Sequence, residues 1–200
     1  MRSIIDNPWA SLGAGVAVAA AVLIAWLVAV GSDAVLLLSF LVRLLHVLAA
    51  MVWVGLVFFV NFVQLAALQG ADDQQRGFLA KAVIPQVAAW FRHASTATVA
   101  TGAILLVAAG YVMPAHVYGA DVYVPPGRSA LLWGGALGGL VMWMLVHMYI
   151  WPSLQVVLGL RPGDASAKAA ARARVALFAR LNLIIALPVT LAMLAAAHLA

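Results

Sequence analysis

Five histidines and no cysteine bound the chemistry open to this 200-residue chain. Without thiols there are no disulfides, thiolate metal sites, iron–sulfur clusters or covalently attached c-type haem. Any cofactor must be held noncovalently, through imidazole, thioether, carboxylate or backbone. His46, His93, His147 and His198, together with Arg43, stand in otherwise apolar sequence. A charged side chain at the centre of a membrane helix costs about 2.5–3.5 kcal/mol on insertion scales, so each of these residues is a candidate for function. Two imidazoles from different helices at similar depth are what a b-type haem requires, one on each face of the porphyrin. Arg43 lies one turn outward of His46, where a guanidinium suits a haem propionate. His116 falls in a loop and reads as solvated.

The elements that must position these groups follow from composition. At 66% hydrophobic and 8% charged, the chain is far from a soluble domain, for which about 25% charged is usual. The charges are clustered, leaving uncharged stretches at 7–32, 44–71, 93–120, 129–160 and 181–200. A bilayer needs about 20 apolar residues in a helix, so each stretch can cross one. The expectation is an all-α integral membrane protein, a single domain over 1–200 with about five transmembrane helices in an antiparallel bundle. The spans fall at about 9–30, 34–69, 82–113, 129–158 and 175–199. A soluble enzyme, a disordered chain and an outer-membrane barrel are excluded, the last because its strands would alternate in about 10-residue units.

The first apolar run is longer than a signal-peptide core and reads as a retained helix. The second segment, if continuous, is longer than the membrane is thick, and its last turns, with Asn61, Gln64 and Gln69, read as a projection. A polar link over 70–81 leads to the third segment, whose entry is marked by Trp90, Arg92 and His93. The loop from Pro114 to Arg128 carries Tyr118 and Tyr123. The basic, alanine-rich stretch after Gly159 should run helically into the fifth segment. Arg2, Arg76, Lys81, Arg161, Lys168, Arg172 and Arg174 fall on one side, with Arg128 alone on the other. By the positive-inside rule the N-terminus faces the cytoplasm and the C-terminus the periplasm or exterior, in a bacterial inner membrane. The net charge of +5 is thereby a topology signal and not a nucleic-acid footprint.

This topology sorts the histidines into an outer pair, His46 and His198, and an inner pair, His93 and His147. His46 shares a helical face with Trp53 and Gln64. The alternative for each histidine is a hydrogen-bonding role at a helix interface or headgroup level. Gly134, Gly135, Gly138 and Gly139 either admit a flat macrocycle or, as overlapping GxxxG patterns, pack helices closely. The scattered methionines read as gap filling. Asn182 and Pro188 read as a helix bridge and a kink.

The stretch Arg43-Leu-Leu-His46-Val-Leu-Ala-Ala-Met-Val-Trp53-Val-Gly55 resembles the RxLHxxAxxxWxG signature of the membrane region of bacterial membrane-bound urate oxidase, the cytochrome-c-fused urate hydroxylase. Trp90-Phe91-Arg92 followed by Thr98 to Gly102, Ile150-Trp151-Pro152, Arg180-Leu181-Asn182, Leu187-Pro188 and Ala197-His198 also agree with it. The similarity spans about residues 38–198. The first motif is also similar to those of the copper-resistance membrane protein and the haem-containing protoporphyrinogen oxidase of bacteria. The resemblance implies a membrane redox module, with His46 and His198 the residues carried over as functional. The expected function is binding of b-type haem and electron transfer, with Arg43, His46, His93, His147 and His198 as cofactor-binding candidates and the four histidines as metal ligands. A separate partner such as a cytochrome c or a quinone would exchange the electrons, in an oligomer or as a subunit of a larger complex. The alternatives are a nonredox accessory subunit packing through the glycine-rich fourth segment, and a transporter of a small solute or copper.

Overall fold

The computed structural model describes residues 6–31, 33–108 and 126–199. His116, Tyr118 and Tyr123, expected in a loop, and Arg2 lie outside the described residues. Contacts divide the chain into two units, Met1–Leu41 and Val42–Ala200.

Four of the five helices start where a short polar side chain satisfies orphan N–H groups of the first turn. Asn7 caps α1, Pro8–Val30, accepting from the Trp9 amide at 3.0 Å, and Gly31, at φ 75°, ends it. None of the α1 residues is buried. Asp33 accepts from the amides of Val35 and Leu36 at the start of α2, Ala34–Gly70. The third helix, α3, covers 73–108 and begins at a reciprocal capping box, Asp72 with Gln75. The fourth, α4, covers 126–157 and is closed by Gly159 at φ 75°. Asp164 caps α5, Ala165–His198, accepting from the Ala167 amide at 2.7 Å.

The described residues contain no strand, in keeping with the all-α expectation. Four helices, α1, α2, α4 and α5, are long and apolar enough to cross a membrane. Five helices are present, and among the described residues these four meet that measure; the expected third span, 82–113, runs beyond the described part of α3, which ends at 108. Arg92, His93, Ser95, Thr96, Thr98 and Thr101 make it polar, yet it buries Ile84, Ala88, Phe91, Ala94, Ser95 and Thr98. A helix that is both polar and sheltered spends its polar groups on its neighbours, as described below. The link over 70–81, read as polar from sequence, is helical from Asp73 onward. The basic stretch continues helically into α5 as expected.

The second unit has its core among α2, α3, α4 and α5, in a cluster of Trp53, Val57, Phe91, Ala94, Met142, Val146 and Ala186. Neighbours run antiparallel. Moving along α4 from Gly135 through Gly138 to Met142, the facing residues on α5 fall from Met193 through Val189 to Asn182.

Three helices contain a π-helical turn: 59–64 in α2, 79–83 in α3 and 145–150 in α4. Two of these have an evident cause. Proline removes a donor and its ring clashes with the carbonyl four residues earlier. For Pro85 and Pro152 those carbonyls belong to Lys81 and Met148, both inside π turns, where the wider coil relieves the clash. In α2 the agent is Asn61, whose Nδ2 donates to the Val57 carbonyl at 2.8 Å and so inserts a side chain into the backbone ladder.

Candidate functional site

His46 is half-buried and turned toward α3. Its Nδ1 lies 2.9 Å from the Thr98 carbonyl and 3.2 Å from Thr101 Oγ1. A carbonyl can only accept, so Nδ1 carries the proton and the Nε2 lone pair is left free. This is the arrangement in which a second hydrogen bond fixes the ring of a metal-ligating histidine. Thr98 and Thr101 direct their own hydroxyls back to the carbonyls of Ala94 and Ala97. Gly102 lets α3 approach the ring closely, since a Cβ there would stand 3.0 Å from His46 Cε1.

His147 is placed differently. Its Nδ1 donates to the Trp143 carbonyl at 3.0 Å, and Nε2 lies 3.2 Å from Thr96 Oγ1. The Trp143 indole N–H in turn donates to Thr96 Oγ1 at 3.2 Å, and the Trp143 and His147 rings stack with centroids 4.5 Å apart. The result is a closed circuit tying α4 to α3, in which both ring nitrogens are engaged. Thr98 and Thr101 lie about 200° and 140° around the helix from Thr96, at about 100° per residue. His46 and His147 thus dock on opposite sides of α3 and do not face each other.

His93 and His198 are exposed, the latter in the last turn of α5. Counted from the contact between Asn61 Nδ2 and the Ala179 carbonyl, 3.1 Å long, His46 and His198 differ in level by about one turn, roughly 6 Å. Arg43 is exposed and makes no ion pair among the described residues. Trp53, on the His46 face, is 3% exposed, and its indole N–H finds no partner among the described residues. No group of three or more His, Asp or Glu among the described residues could hold a metal ion.

The glycines of α4 divide by face. Gly135 and Gly138 meet Met193 and Val189 of α5, so they serve helix packing, whereas Gly134 and Gly139 have nothing nearby. Asn182, fully buried, bridges to the Met142 carbonyl at 3.4 Å, the helix bridge expected of it.

A second cluster was legible in sequence only as interface markers. Arg92 stacks its guanidinium 4.2 Å above the Trp151 ring, beside a cavity of about 50 Å³ that Asn61 and Gln64 also line. The signal that could have found it is the i, i+3 pair of amides at 61 and 64, which share a helical face. Comparison with known proteins finds no matching family model, no matching curated protein and no matching solved structure.

Proposed function

We propose that this chain is a membrane electron-transfer protein that holds b-type haem on His46 and is related to the membrane part of bacterial urate oxidase. The observation that carries the proposal is the His46 ring, pinned through Nδ1 to the Thr98 carbonyl with Nε2 free. The donor set around it suits the group: one imidazole, the unpaired Arg43 guanidinium one turn away, and the orphaned indole N–H of Trp53 on the same face. When bound, haem supplies a one-electron couple. The protein's part is to fix the ligand's orientation, through Thr98, Thr101 and the close approach at Gly102. Arg43 balances propionate charge, and His198 is the proposed second ligand, being close in level to His46. His147, with both ring nitrogens engaged, acts as a tie between α3 and α4.

The electron partner is proposed as a quinone or a separate cytochrome, and the location as the bacterial inner membrane with the N-terminus in the cytoplasm. The accessory-subunit alternative relied on the glycine face of the fourth helix, and two of those four glycines are occupied by α5 of the same chain.

An absorption spectrum of the detergent-purified protein tests the proposal. A Soret band with sharp reduced α bands is expected, lost in His46→Ala and His198→Ala and kept in His147→Ala. A colourless preparation from haem-replete cells, or a His46→Ala variant with an unchanged spectrum, refutes it. Reporter fusions at Gly119 and Ala167 should fall in opposite compartments, and a shared compartment would overturn the topology.

A further inference from the structure

On their outward side α2 and α3 leave an open groove of about 360 Å³, walled by Val52 and Leu56 of α2 and by Val83, Gln86, Val87 and Trp90 of α3. That volume falls within the roughly 300–1,000 Å³ of small-molecule sites. Val52, Gln86 and Trp90 are exposed, and Gln86 is the one amide in an otherwise apolar wall.

The level of the groove follows from α5. No Lys, Arg, Asp or Glu follows Arg180, so the turn at Ala179 marks one edge of the hydrocarbon, on the side of the basic loops. The Ala179 carbonyl accepts from Asn61 at 3.1 Å, which brings Asn61 to that edge. Val52 and Leu56 then stand about 14 and 8 Å toward the bilayer centre. On α3, Ile84 and Arg92 line the same cavity as Asn61 and Ala179, so Gln86, between them, is at the edge as well. Lys81 lies about 8 Å beyond Gln86, within reach of the headgroups on its flexible stem. The groove thus crosses the boundary, apolar in the hydrocarbon and polar at the headgroups.

We propose that this groove seats one phospholipid, an acyl chain against Val52, Leu56 and Val87 and the phosphate between Gln86 and Lys81. Charge selects the occupant. Lys81 is exposed and makes no ion pair among the described residues. Gln86 Nε2 donates to the Ala82 carbonyl at 2.9 Å, and its second N–H remains to be given. An ammonium and an amide N–H are both donors, so they call for an anion rich in acceptors. The apolar wall below them calls for a tail attached to it. A quinone has the tail without the anion, and inorganic phosphate has the anion without the tail. The site uses neither His46 nor Arg43 and stands or falls separately from haem binding.

Native mass spectrometry of the intact protein, delipidated in detergent and titrated with palmitoyl-oleoyl phosphatidylglycerol, tests it. One lipid should be retained under conditions that strip the others. Lys81→Gln should weaken its retention about 5-fold, the worth of one lysine at an anionic surface. Val52→Trp and Ala82→Trp, which fill the two ends of the groove, should abolish it, each variant being checked for native elution and helicity. Diolein, which lacks the phosphate, should not be retained, and inorganic phosphate should not displace the lipid. Unchanged retention in folded Lys81→Gln or in a folded tryptophan variant overturns the proposal. Retention of diolein equal to that of the phospholipid, or displacement by inorganic phosphate, overturns it as well.

Discussion

Replacing Gly102 by alanine separates the fold from the ligand. The added methyl would stand 3.0 Å from His46 Cε1 and 3.3 Å from Nδ1. Carbon contacts are optimal near 3.5–4.0 Å, so the ring must retreat by about 0.5 Å. That movement draws Nδ1 away from the Thr98 carbonyl, now at 2.9 Å. A hydrogen bond of this kind contributes about 0.5–1.5 kcal/mol net, and its loss corresponds to roughly 2- to 10-fold weaker haem retention. In the helix itself the change is favourable, since alanine exceeds glycine by about 0.8–1 kcal/mol of helix propensity. The expected signature is unequal: the propensity gain roughly offsets the lost hydrogen bond in the haem-free protein, so its thermal stability changes little, while haem affinity falls and Gly102→Val deepens the loss. Haem titration followed at the Soret band, alongside a thermal melt of the haem-free protein, measures both. Unchanged affinity in both variants would show that α3 does not set the position of the ring.

At the α4–α5 seam, Gly138→Ala places a methyl 2.5 Å from Val189 Cγ2, and overpacking of about 1–3 kcal/mol should outweigh the propensity gain. Gly139→Ala, with open space beside it, should instead raise the melting temperature, and a melt of the two variants side by side compares them. Thr96→Val removes the hydroxyl shared by His147 and Trp143, costing about 1–3 kcal/mol of stability; denaturant unfolding reads the loss, and the haem spectrum should not change. The Ala167 amide and the Ser166 hydroxyl hold the Asp164 carboxyl below its ordinary range. Its capping contribution is thus full above the unfolded value of about 3.9 and fades as pH falls through the lowered folded value. Hydrogen exchange at the Ala167 amide should quicken over that acid interval in the unmodified protein and be fast throughout in Asp164→Ala.

Much of this architecture is written in the spacing of charge. Aspartates at 33, 72 and 164 mark three helix starts, and the described parts of the apolar stretches between charges fall largely within the helices. The pair Asp72 and Gln75 also carried a capping-box signal, and with it the helix that replaces an expected link. The role of α3 was harder to read, because periodicity cannot say which neighbour will accept a threonine or an arginine. His46 and His147 look alike in sequence, and both stand in apolar helices. Their difference depends on partners 51 and 52 residues away, Thr96 for one and the Thr98 carbonyl for the other. The cavity at Arg92 escaped for the same reason, since it is assembled from all four helices of the second unit.

The π turn in α2 has a bearing on how this helix can vary. Such a turn holds one residue more than an α-helical turn and rotates everything beyond it by about 100°. The face that carries His46 and Trp53 on one side of residues 59–64 is therefore out of step with the face beyond them by one position. Removal of a single residue there converts the turn to ordinary α-helix without breaking the rod, at the cost of redirecting Gln64 and the last turns to Gly70. The helix thus contains a place where its length is negotiable while its continuity is not, a tolerance usually reserved for loops.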